Sequence, residues 1–111
     1  MPSNTFDAAA ILRDLEQADA ERVPLVKIAR PIGWDASSQS HAIAEGLLDA
    51  RRLGGRGNPY GITRDDAITL LLAAVLAVAA GIAIAAALRG LKGAGVTGQL
   101  AADVLRATVP T

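Results

Sequence analysis

Chemistry in this chain would have to come from very few side chains. The one histidine, His41, follows a polar segment holding Asp35, Ser37, Ser38 and Ser40, so a hydroxyl, a base and a carboxylate fall within a few residues. They crowd one short stretch that implies neither a pocket nor an oxyanion donor, and a catalytic triad is a geometry rather than a composition. Glu45, four residues beyond His41, supplies one further ligand where a metal site needs three or four. The absence of cysteine excludes disulfides, thiolate nucleophiles and thiolate-held metals. The stretch Gly54-Gly55-Arg56-Gly57-Asn58-Pro59-Tyr60-Gly61 is glycine-rich enough to suggest a phosphate cradle, but it lacks the GxxxxGK[ST] spacing and no strand is evident before it. It reads as a linker. These residues predict no catalytic, cofactor-binding or metal-ligating group: a protein that is not an enzyme and takes no cofactor and no small-molecule substrate.

Composition narrows the classes further. One Trp, one Tyr and one Phe leave little for stacking platforms, and 11 basic residues cancel 11 acidic ones, which argues against a general affinity for nucleic acid. At 111 residues the chain is at most one small domain.

The strongest pattern is apolar. From Ala67 to Leu88 there is no charge and a single polar side chain, Thr69. As one helix this run would be about 33 Å long, matching a bilayer core of about 30 Å. Thr63 and Asp66 form a capping pair at its start, and Asp65 and Asp66 suit the positive end of the helix dipole. Arg89 and Lys92 suit the opposite end, and Gly90 and Gly93 are plausible stops. Ala73, Ala77, Gly81 and Ala85 recur every four residues as a strip of small side chains on which a partner helix could dock, with a second strip at Ala79, Ala83 and Ala87. Tyr60, Arg64, Arg89 and Lys92 are placed to sit at the two membrane interfaces. No ionisable group lies inside the run, so transport and redox conduction are not expected of it.

The remaining segments read as short helices. A helix from a cap at Asn4 or Thr5 to about Glu21 is moderately amphipathic; Pro24 and Pro31 bracket an extended piece or a single turn; His41 to Leu53 is a second helical candidate. Trp34 is either a surface anchor or part of a small apolar cluster. Gln99 to Val109 forms an amphipathic tail stopped by Pro110.

The expected organisation is all-α: an extramembrane helical segment over residues 1–53, a Gly-rich linker over 54–62, a single-pass transmembrane helix over 63–90, and a flexible turn with an amphipathic tail over 91–111, with no large independent core. The expected function is a non-catalytic structural or accessory subunit of a multisubunit membrane assembly. Its partners would be other transmembrane helices of a hetero-oligomeric or repetitive assembly, and lipid, with no nucleic acid. The location would be a bacterial-type inner membrane or a virion membrane, with the N-terminus inside. The alternatives are a membrane structural protein of a virion or filament, an oligomeric phage-type permeabilising protein, and a cytoplasmic regulator tethered by its one helix.

Overall fold

Caps, glycines and prolines punctuate the chain closely enough that every element but one is short. In the computed structural model, which describes residues 6–19, 21–54 and 59–108, helix α1 spans Ala8–Gln17. It is capped by Asp7, whose side chain accepts the Ala10 N–H at 3.0 Å. It buries Ala8, Leu12 and Leu15, at i, i+4 and i+7. The cap anticipated at Asn4 or Thr5 lies outside the described residues. Strand β1, Arg22–Pro24, runs directly into α2, Leu25–Ile32. Gly33, at φ +72°, closes α2 in the left-handed conformation that glycine alone adopts without strain. Asp35 then opens α3, Ala36–Ala44, accepting from the Ser38 N–H at 3.1 Å. A hairpin follows, β2 at Ala50–Arg52 and β3 at Tyr60–Thr63, then α4 at Arg64–Ala80, α5 at Ile84–Gly93 and α6 at Gly98–Thr108.

The sheet has the order β1-β3-β2 and is antiparallel throughout. Val23 of β1 and Ala50 of β2 both lie opposite Ile62 of β3, so the pleat brings these side chains to one face, where Ile62 is fully buried. That face meets α2 and α4.

The apolar run is not a membrane-spanning rod. It stops after α4 at Gly81, whose φ of +69° places it in the left-handed region, and resumes as α5 after a turn; no described helix is long and apolar enough to cross a membrane. The expected all-α single-pass architecture is therefore replaced by six helices and a three-stranded antiparallel sheet among the described residues. The physical reason is that α4 is apolar all round because protein surrounds it from Asp66 to Ala74: α1, α2, the sheet, α5 and α6 all touch the helix, and its last two turns reach the surface. Ala67, Leu70, Leu71, Leu72, Ala73 and Ala74 are at most 3% exposed. The buried alanines Ala67, Ala73, Ala74, Ala77 and Ala87 add little bulk where α5 and α6 pack against α4. Thr63 does cap α4, accepting from the Asp66 N–H at 3.1 Å.

Other expectations change accordingly. Tyr60–Ile62, placed in the linker, belong to β3, while residues 55–58 lie outside the described residues. Residues 25–32, expected to be extended or one turn, are helical. Trp34 is buried in the core. A radius of gyration of 13.0 Å is that of a closely folded domain of about 100 residues, so the terminal segments do not straddle a bilayer on either side of an isolated helix.

Candidate nucleic-acid interface

The residues that crowd one polar segment in the sequence form the outer face of α3. Ala42 faces the core, with Ser38, Gln39 and Ile43 half-buried beside it. Ser37, Ser40, His41 and Ala44 fall at i, i+3, i+4 and i+7, and all four are exposed. The result is a narrow stripe of small or polar side chains that lets a surface approach the helix closely.

The helix is held from both ends. At its start Asp35 accepts from both the amide and the hydroxyl of Ser38, the latter at 2.6 Å, and these bonds hold its carboxyl below its ordinary value. Asp35 thus spends its oxygens on Ser38, so the hydroxyl, base and carboxylate are not assembled as a relay. Gln39 donates to the Trp34 backbone carbonyl at 2.9 Å, tying the first turn of α3 to the main chain of the turn before it. At the far end Glu45 accepts two hydrogen bonds from Arg89 of α5, at 3.0 and 2.8 Å, which lower the Glu45 carboxyl and raise the Arg89 guanidinium from their ordinary values.

α2 and α3 form two short helices joined by the tight turn Gly33-Trp34-Asp35. The Trp34 N–H reaches back to the Ala29 carbonyl at 2.9 Å, which fixes the exit from α2. Exposed Lys27 and Arg30 lie on α2, exposed Arg51 and Arg52 on β2, and half-buried Arg64 at the start of α4. Arg52 stacks over the Tyr60 ring, 4.4 Å from its centroid.

The hairpin is seated by two ion-pair systems. Arg22 of β1 donates to the Asp49 carbonyl at 2.6 Å, the Gly61 carbonyl at 3.2 Å and the Asp49 carboxylate at 3.2 Å, joining β1 to β3 and to the residue that leads into β2. The buried carboxylate of Asp66 in α4 accepts the Asp49 N–H at 2.6 Å and pairs with Lys92 of α5. The approach to β2 is therefore anchored to the helical core.

The residues expected to dock or anchor in a membrane have other positions. Ala73 and Ala77 are buried within the fold, Gly81 is the helix stop, and Ala85 is half-buried on α5. The strip is therefore cut at Gly81 rather than presented along one helix. Tyr60 packs under Arg52, Arg64 begins α4, Arg89 holds Glu45 and Lys92 holds Asp66. Among the described residues, partner transmembrane helices have no spanning helix to receive them. The helix–turn–helix itself was missed in the sequence, although Gly33-Trp34-Asp35, a helix stop followed at once by a helix cap, was its signal.

Charge is unevenly distributed. Residues 22–64 hold seven basic and three acidic side chains, whereas residues 1–21 hold one basic and five acidic. The overall cancellation hides a basic middle segment, the part of the chain that contains α2, α3 and the hairpin. Comparison with protein-family models, with curated proteins and with solved structures found no match to this chain.

Proposed function

We propose that this chain is a double-stranded DNA-binding module of winged helix–turn–helix arrangement, working by recognition rather than catalysis. The observation that carries the reading is topological: α2, a three-residue glycine-containing turn and α3 lead into the β2–β3 hairpin, with β1 closing the sheet against β3. In a helix–turn–helix the second helix enters the major groove while neighbouring elements hold the phosphate backbone. Here α3 is that second helix. Its exposed Ser37, Ser40 and His41 offer hydrogen bonds to base edges, and Ala44 offers an apolar contact of the kind a thymine methyl accepts. Arg51 and Arg52 on the hairpin, with Lys27 and Arg30 on α2, supply the sequence-independent attraction to phosphates. The link from topology to DNA is an analogy at the level of fold, and the charge distribution supports it independently.

One observation favours a second reading, a protein-docking module. α3 carries neither Arg nor Lys, and Asp35 and Glu45 flank it with negative charge. Selection of bound sequences from a random duplex library separates the two. The DNA reading expects an enriched motif that changes for Ser40→Ala and His41→Ala, whereas Arg51→Ala weakens all sequences about equally. Recovery of no motif, with no retention of duplex at low salt, would leave the docking reading.

A further inference from the structure

The largest break with ordinary surface composition lies where α4 turns into α5. Leu76, Val78 and Ile82 are 39%, 48% and 48% exposed, and Ala79, Ala80, Gly81, Ala83 and Ala86 around them are exposed as well. Among the described residues, the other large exposed apolar side chains, Val26, Leu53, Leu100 and Val104, sit on α2, beside β2 and on α6. The turn therefore carries an unbroken apolar corner with no charged or hydrogen-bonding side chain from Leu70 to Leu88. Its area is on the order of 500 Å², at the upper end of what a monomer commonly leaves bare.

We infer that this corner is the contact between two copies of the chain. Two such faces would remove about 1,000 Å² from water together, the lower limit for a specific pairing and the size of a weak, reversible dimer rather than a permanent one. The chemistry favours self-association over a foreign partner of opposite charge, because the face offers nothing for charge to recognise and nothing that would repel its own copy. The nearest cation beyond Ala86 is Arg89, and its charge is matched within the same molecule by Glu45. Gly81 and the surrounding alanines add little height, so two corners related by a two-fold axis can come together with Val78 and Ile82 interdigitating. The inference stands on this surface alone. Under the DNA reading its consequence is that each pair carries two copies of α3, matched to a two-fold symmetric site.

The test is sedimentation of the full chain without DNA, so that its failure is distinct from failure of the DNA reading. The wild type should sediment as a dimer in the micromolar range. Val78→Glu and Ile82→Glu should weaken association by more than about tenfold, with unchanged far-UV circular dichroism. Leu100→Glu, at a site equally exposed at 49%, should leave the dimer intact. Because the chain has no cysteine, Ile82→Cys provides a second readout that adds no charge: oxidation should yield a disulfide-linked dimer, and Asp103→Cys on α6 should not. A wild type that stays monomeric to about 100 µM, equal loss of association in Ile82→Glu and Leu100→Glu, or capture by neutral lipid vesicles in place of pairing would overturn the inference. So would failure of Ile82→Cys to cross-link.

Discussion

Asp66 shows how much of this fold rests on a single side chain. Its carboxylate is buried, yet it accepts the Asp49 N–H and pairs with Lys92, so three segments distant in sequence meet at one group. Asp66→Ala would strand a backbone donor and a half-buried ammonium, and should destabilise the domain by about 2–4 kcal/mol in chemical denaturation. Asp66→Asn, which keeps an acceptor but loses the charge, should cost less. Glu45 makes the opposite kind of contact, exposed and joining α3 to α5. Arg89 depresses its pKa, so its contribution is present above the ordinary value of 4.5 and is lost as pH falls through the lower folded value. Asp35, depressed by Ser38, behaves the same way below 3.8. Glu45→Gln should therefore lower the melting temperature at neutral pH, and the difference from wild type should shrink towards zero as pH falls below the lowered Glu45 value. A difference that persists in acid would assign the loss to packing rather than to the ion pair.

The elements differ in how plainly the sequence announces them. The existence of α1 follows from periodicity, although Asp7 rather than Asn4 or Thr5 caps it and it ends at Gln17 rather than near Glu21; the Thr63 cap and the beginning of α4 follow from capping chemistry, and the tail read over residues 99–109 corresponds closely to α6. The strands escaped because β1 and β2 have three residues each, too few for alternation to register, and because β3 contains Gly61. α2 escaped because Pro24 and Pro31 look like breakers, although Pro24 stands at the N-cap and Pro31 in the final turn, where a helix tolerates it better than in its interior. The division between α4 and α5 was hidden because hydropathy measures what a helix avoids, water, without stating whether lipid or protein replaces it. A glycine in the middle of such a run is also ordinary in membrane helices. Gly98 marks where α6 crosses α4: a Cβ there would lie 2.6 Å from the Asp65 Cα, a backbone atom that no rotamer change can move. Gly98→Ala should force the helices apart and cost about 1–3 kcal/mol, read as a lower melting temperature with helical content retained. Unchanged stability would show that this crossing has slack.

Taken as a whole, the molecule separates its charge along the chain. The acidic first 21 residues include α1, the basic stretch from Arg22 to Arg64 holds the helix–turn–helix and the hairpin, and the rest balances three basic residues against three acidic ones. Net charge was therefore a poor guide to partners, while its distribution supports a nucleic-acid partner for one part of the surface. The candidate interface was only partly legible. Ser37, Ser40 and His41 drew attention as possible chemistry, but their significance as one exposed stripe depends on α3 being a helix seated by Asp35 and Glu45. Arg51 is the residue through which the account is most exposed to refutation, because it is given a phosphate contact and no part in the core. The deciding measurement is a fluorescence-anisotropy titration of a labelled DNA duplex across a salt series, for the wild type and Arg51→Ala. A DNA-binding chain should show an affinity whose logarithm falls linearly with the logarithm of salt, with a slope smaller by about one in the variant. Absence of binding at low salt, or an affinity indifferent both to salt and to Arg51, would contradict the DNA reading.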